Sequence, residues 1–246
     1  MDQKFWYLKD CSLFHNLTDE QVRRLEVCAK ARDFKRGALI YVPSDLGDCV
    51  LVLAAGRVKI FHNTQDGKQA LLALIDPGEL FGELALVDQG QREEYAEAME
   101  RSTVLMIPTE EVQRLTDDQP RFSRGLNKLL GLRAQQDRRR LKSLLFRSNR
   151  ERVIHLLFEL AEKYGKYQPE GAISIGIRLS HQELASIIGS TRETVTLVLG
   201  ELQSEGALTI TRKEIVMHEP GRLAAVIEIQ VPNLRQHKDL WRQPTR

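Results

Sequence analysis

The stretch LSHQELASIIGSTRETVTLVLGELQSEG, Leu179 to Gly206, decides how the rest of the chain is read. It spells two short helices joined by a tight turn. Ser180 and Glu183, and again Ser190 and Glu193, stand three apart as S-x-x-E capping boxes. In such a box the hydroxyl accepts from the third helical N–H while the carboxylate reaches back to the cap N–H. Gly189 between them supplies the left-handed backbone that a sharp turn demands. Leu184, Ile187 and Ile188 make an apolar face on the first helix. Val195, Val198, Leu199 and Leu202 make one on the second, at i, i+3, i+4, i+7 spacing. The opposite side of the second helix begins with Thr191, Arg192, Glu193 and Thr196, as in a helix-turn-helix that offers side chains to a major groove. Taken alone, the stretch fits an ordinary helical hairpin equally well.

Its flanks separate the two readings. Upstream, Asn149 to Tyr164 is a helix with Val153, Leu156, Leu157 and Leu160 inward, ended by Gly165 in a C′-type position. A loop from Gln168 to Gly171 follows, and Ile173, Ile175, Ile177 and Leu179 alternate as a short strand. Downstream, Ala207 to Thr211 and Glu214 to Met217 form a hairpin with Arg212 and Lys213 at its tip. That is a wing, and the whole is a winged helix-turn-helix. Arg192 suits a guanine edge and Glu193 can accept from a cytosine amino group, with Thr196 the third base-reading candidate. Ser180, Gln182 and Thr191, with Arg212 and Lys213 of the wing, are placed for phosphates, helped by the helix N-termini.

Charge points the same way. Residues 1–120 hold 14 Lys/Arg against 21 Asp/Glu, a net −7, whereas residues 121–246 hold 22 against 13, a net +9. An acidic half joined to a basic half suggests a sensing module attached to a polyanion-binding one. No run of about 18 apolar residues is present, so no transmembrane helix is expected. The N-terminus lacks a basic-then-apolar signal pattern, so residence in the cytosol is expected. Cys11, Cys28 and Cys49 are odd in number and widely spaced, which argues for small buried hydrophobes rather than a disulfide, cluster or zinc site. No nucleophile–base pair or phosphate loop stands out, so no catalytic site, metal or enzymatic activity is expected.

The acidic half reads as a short helix, Thr18 to Lys30, followed by strands. Leu39–Val42, Cys49–Leu53, Arg57–Phe61, Ala70–Ile75 and Ser102–Ile107 are β-type runs separated by Gly and Pro turns, and Asp66-Gly67 is a hairpin signal. An antiparallel roll or barrel follows. Then Thr109 opens a short helix, and Pro120 opens a long one running to about Phe146.

Three motifs carry a family resemblance. GALIYVP (37–43), AGRVKI (55–60) and above all DPGELFGELAL (76–86) look like the cyclic-nucleotide-binding β-roll of the cyclic-AMP receptor/FNR family of bacterial transcription regulators. STRETV (190–195) is similar to that family's recognition-helix motif. The likeness runs in order from about residue 10 to 220. It implies an α+β architecture: an N-terminal cyclic-nucleotide-binding-like β-roll (double-stranded jelly roll), a long dimerisation helix and a C-terminal winged helix-turn-helix. The corresponding spans are 1–118 for the sensor, 119–147 for the helix, 148–221 for the DNA-binding domain and 222–246 for a weakly patterned, polar tail.

The resemblance further implies an effector pocket at Gly82, Glu83, Arg92, Glu93, Glu94, Arg133, Asp137 and Arg138. Here the chain departs from cyclic-AMP-binding members. Glu93-Glu94 stands where those members place a phosphate-binding pair, and two carboxylates repel a phosphate by roughly 1 kcal/mol each in water. Arg92 is one residue away, but a one-residue shift in a strand turns a side chain to the other face. Asp137 and Arg138 replace small hydroxyl residues. Both departures argue against cyclic AMP, so no certain cofactor is expected. His62 reads as an exposed hairpin residue rather than a heme ligand.

On the long helix, Phe122, Leu126, Leu129, Leu130, Arg133, Gln136, Asp137, Arg140, Leu141 and Leu144 recur at 3–4 spacing, like the family's parallel dimer seam. The family usually has a further Arg along the recognition helix where this chain has Leu197. The expected protein is therefore a homodimeric, sequence-specific DNA-binding regulator. It reads a palindrome through the helix Thr191–Gln203 and responds to an unidentified effector, with RNA polymerase as a partner if it activates. An effector-independent DNA-binding protein, or a cyclic-nucleotide regulatory module of an enzyme, are the alternatives.

Overall fold

The run Cys49–Ala55 is apolar at every position because both of its faces are covered. In the computed structural model, which describes residues 11–14, 17–65, 67–87, 90–211 and 214–234, this run is strand β3. Alternate side chains of a strand point to opposite faces. Val50 and Val52 enter one apolar cluster with Leu25, Leu105, Ile107 and Val112, while Leu51 and Leu53 enter another with Val58, Ile60, Ile75, Phe81, Ala96 and Val104.

Two four-stranded antiparallel sheets enclose the second cluster. One has the order β1-β8-β3-β6, from β1 (Lys30–Phe34), β8 (Ser102–Pro108) and β6 (Leu80–Phe81). The other has the order β2-β7-β4-β5, from β2 (Leu39–Tyr41), β7 (Tyr95–Ala98), β4 (Val58–Asn63) and β5 (Gln69–Ile75). The expected jelly roll is present. Strands β1, β6 and β7 carry no strong sequence signal. Four of the five residues of β1 are exposed, and pairing with β8 from Lys30–Met106 to Phe34–Ser102 holds it in place. Asp66 lies outside the described residues, although β4 and β5 pair on either side of it, out to Asn63–Gln69.

Helices cover the outer face of the β1-β8-β3-β6 sheet. Helix α1 (Asp19–Cys28) opens with a Thr18/Gln21 capping box, and α2 (Thr109–Asp118) leads into α3 (Pro120–Phe146). The chain divides into two compact units between Arg133 and Ala134, inside α3. This revises the seam expected on that helix. Phe122, Leu126 and Leu129 are buried in the roll's own outer cluster, so their period reflects packing within one chain. Further along, Leu141, Leu145 and Phe146 remain exposed.

The second unit holds α4 (Asn149–Tyr164), β9 (Gly165–Tyr167), β10 (Ile173–Ile175), α5 (His181–Ile188), α6 (Arg192–Ser204), β11 (Leu208–Ile210), β12 (Ile215–Met217) and α7 (Pro220–Val226). Its sheet runs β11-β12-β10-β9. Gly165 is not the left-handed cap expected at the end of α4, for its φ is −75°. A close approach explains the glycine instead, since a Cβ there would lie 2.3 Å from the Ala161 carbonyl oxygen. The segment after Gly221 is also more ordered than its composition suggests, with Leu223, Ala224, Ile227 and Leu234 buried. Among the described residues, no helix is long and apolar enough to cross a membrane.

Candidate nucleic-acid interface and effector pocket

The two helices of the opening stretch are built much as their sequence proposes. Ser180 Oγ accepts from the Glu183 N–H at 3.2 Å, and Glu183 Oε2 accepts from the Ser180 N–H at 2.7 Å, completing the first capping box. Gly189 sits at φ 62°, ψ 44°, and its N–H and that of Ser190 both turn back to the Ala185 carbonyl. This closure takes Ser190 into the end of α5 and moves the next cap on by one residue. The cap of α6 is Thr191, whose Oγ1 accepts from the Thr194 N–H at 3.2 Å; the expected Ser190/Glu193 box does not form.

The apolar faces then hold the pair against α4. Leu184, Ile187, Ile188, Val195, Val198, Leu199 and Leu202 are all buried, as are Val153, Ile154, Leu156 and Leu157 of α4. Each such side chain contributes about 1.5–3 kcal/mol when fully withdrawn from water, so α6 is fixed mainly by its buried side. The side left over is polar at its start: Arg192, Glu193 and Thr196 are exposed, followed by Leu197 at 64% exposure. Thr196 is not idle. Its hydroxyl donates to the Arg192 carbonyl at 2.8 Å and lies 2.8 Å from His181 Nδ1.

In the roll, Gly82 adopts φ 68° after β6 and opens a single helical turn, Glu83–Leu86. Arg92 crosses beneath it. The guanidinium lies 4.7 Å from the centre of the Tyr41 ring and donates to the Gly82 carbonyl at 2.8 Å and to the Cys49 carbonyl. Arg133 of α3 makes an ion pair with Glu83 and donates to the Leu80 carbonyl. Glu94 is half-buried, and its carboxyl is held above the ordinary range by burial first, then by the Glu83 and Glu93 charges.

Comparison with known proteins joins these two sites. Residues 31–119 match the cyclic nucleotide-binding domain, and residues 151–226 match the Crp-like helix-turn-helix domain. The chain is 32% identical over 219 residues to the cyclic AMP receptor protein of Thermus thermophilus, covering 89% of this chain and 98% of that one. This chain belongs to the CRP/FNR family. It is also 34% identical over 194 residues to the global nitrogen regulator of Synechocystis, covering 78% and 85% of the two chains. A solved CRP/FNR-family transcriptional regulator of Thermus thermophilus superposes with a TM-score of 0.63 at 28% identity, covering 82% and 100%.

As a member of that family the protein is a DNA-binding transcription regulator with an effector-binding-type domain. Its expected base-reading residues, Arg192, Glu193 and Thr196, share one exposed side of α6. Ser180 and Gln182 stand exposed at the start of α5 and Thr191 at the start of α6. Arg212 and Lys213 lie outside the described residues, although the strands that carry them pair up to Ile210–Ile215.

Of the expected pocket residues, Gly82, Glu83, Arg92, Glu94 and Arg133 come together. Glu93, Asp137 and Arg138 are exposed. The backbone bonds of Arg92 to Ser44 and Asp45 correct one point: Arg92 faces the interior and Glu93 faces solvent, so one carboxylate of the Glu93-Glu94 pair, not two, turns inward. Half-buried and buried residues alternate through Tyr95–Ala98, and Arg92 lies in phase with the buried Ala96 and Ala98. Tyr41 beneath Arg92, and His181 beside Thr196, are the participants that sequence reading missed.

Proposed function

We propose that the protein acts as a homodimer that reads a palindromic operator through α6, under the control of an effector other than cyclic AMP at the β-roll. The observation that carries this reading is the exposed Arg192–Glu193–Thr196 side of a helix whose opposite side is buried. Arg192 would engage a guanine and Glu193 a cytosine amino group. Leu197, next on that side, suits a thymine methyl. Leu141, Leu145 and Phe146, exposed on a helix of 27 residues, support pairing with a second copy. The same reading implies residence in the cytosol, no enzymatic activity, and contact with RNA polymerase if the protein activates.

The case against cyclic AMP rests on charge. Arg92 faces inward, but its guanidinium already serves two carbonyls, and Glu83 and Glu94 flank it. A phosphate monoanion would meet those carboxylates before a free cation. One observation favours the alternative of effector-independent binding: Arg133 and Glu83 satisfy each other without a ligand.

Hydroxyl-radical footprinting on a bound fragment, with sedimentation of the free protein, tests the arrangement. A dimer should protect two patches one helical turn, roughly 34 Å, apart. A monomer in solution, or a single protected patch, would overturn it. Titration calorimetry should show no heat with cyclic AMP, and micromolar binding would reverse the effector assignment.

A further inference from the structure

Thr196 Oγ1 lies 2.8 Å from the Arg192 carbonyl oxygen and 2.8 Å from His181 Nδ1. A hydroxyl has one proton, and a carbonyl oxygen has none to give. The Thr196 proton is therefore in the bond to Arg192, and the contact with the imidazole needs a proton on Nδ1. Thr196 thus fixes the tautomer of His181. Whenever the ring is neutral, its Nε2 is a bare lone pair.

His181 is the first residue of α5, half-buried, between the exposed Ser180 and Gln182. In a helix-turn-helix the first helix crosses the sugar–phosphate backbone. A phosphate oxygen only accepts, so a neutral His181 locked in this tautomer has nothing to donate to it. The imidazolium, protonated on both nitrogens, does. We propose that His181 is a further DNA-contacting residue whose phosphate contact is made only by the imidazolium, so that operator binding takes up a proton at each half-site.

Helix α6 brings Arg192 and Glu193 to this end of the pair. On α5 itself Glu183 is engaged by the Ser180 N–H and Oγ. Arg152, His155 and Glu159 of α4 lie at the other end of α5, around Ile187 and Ile188. A phosphate partner raises the imidazole's pKa in the complex above its value in the free protein. The complex then binds more protons than the free components, and affinity rises as pH falls. Each unit of rise tightens binding by about tenfold per half-site.

This inference rests on the DNA-binding reading, and the test keeps the two apart. Operator affinity of the full chain is measured from pH 8 to pH 6 at constant ionic strength, for wild type, His181→Gln and Thr196→Val. Wild type should tighten as pH falls, and His181→Gln should lose that dependence. Thr196→Val frees the ring to place its neutral proton on Nε2 and donate while uncharged, so its affinity should depend on pH less steeply than that of wild type, whatever its absolute value. Nitrogen-15 shifts of the imidazole in the free protein at pH 8 should show Nδ1 protonated and Nε2 bare. Equal pH slopes for wild type and His181→Gln, or a neutral ring protonated on Nε2, would overturn the proposal. Absence of binding by wild type at every pH would remove the DNA-binding reading, and this inference with it.

Discussion

Arg92 Nη1 donates to the Gly82 carbonyl oxygen at 2.8 Å, joining the turn after β6 to the segment that enters β7. The bond depends on Gly82. Its φ of +68° is strained for any other residue, and a Cβ would lie 2.7 Å from both Arg92 Nη1 and Leu51 Cδ1. Gly82→Ala should therefore destabilise the roll by about 2 kcal/mol in urea unfolding. Gly131→Ala is the control. That glycine is helical with open space around it, and the change should be neutral or stabilising by up to about 1 kcal/mol. Equal effects would mean that the turn is not held as described.

The shifted cap gives a second test. Thr191→Ala should cost about 1 kcal/mol, because it removes the acceptor for the Thr194 N–H. Ser190→Ala should fall within about 0.5 kcal/mol of wild type, since Ser190 contributes its backbone N–H to the end of α5. The reverse order in thermal unfolding would restore the Ser190/Glu193 box.

That shift shows where sequence reading stops. Ser190 and Thr191 are both good caps, and the choice between them is made by how the end of α5 closes onto the Ala185 carbonyl, which no property of either residue encodes. The buried faces of α5 and α6 were legible because burial imposes a period of 3.6 on side-chain type, and strands β3 and β8 because covered strands read as short apolar runs. Strand β1 was not, because four of its five residues are exposed and it is held by a partner strand some 70 residues away in sequence. The pocket was half legible. Five of the eight expected residues come together, but the side on which Arg92 lies is set by its backbone bonds to Ser44 and Asp45, far away in sequence. The Arg133–Glu83 and His181–Thr196 contacts join residues far apart in the chain and leave no local pattern.

A third expectation concerns acid. His155 of α4 is held down to about 4 from an ordinary 6.5, by burial first and then by the Arg147 charge. The Glu162 charge favours the imidazolium, but burial outweighs it. The unfolded chain therefore takes up a proton that the folded one refuses. Stability attached to the neutral ring is complete above pH 6.5 and is lost as pH falls toward about 4. Denaturation midpoints followed from pH 7.5 to 4.5 should fall less steeply for His155→Asn than for wild type. Parallel curves would show that His155 is not titrating across folding.

Selection of bound duplexes from a random pool tests the central claim most directly, that the exposed side of α6 reads DNA. Wild type should enrich a palindromic sequence with salt-dependent affinity. Arg192→Ala should weaken binding to that sequence by about 1–3 kcal/mol and relax the choice of base at one position of each half-site. If wild type enriches no sequence, or if Arg192→Ala selects the same sequence with the same affinity, the account is wrong.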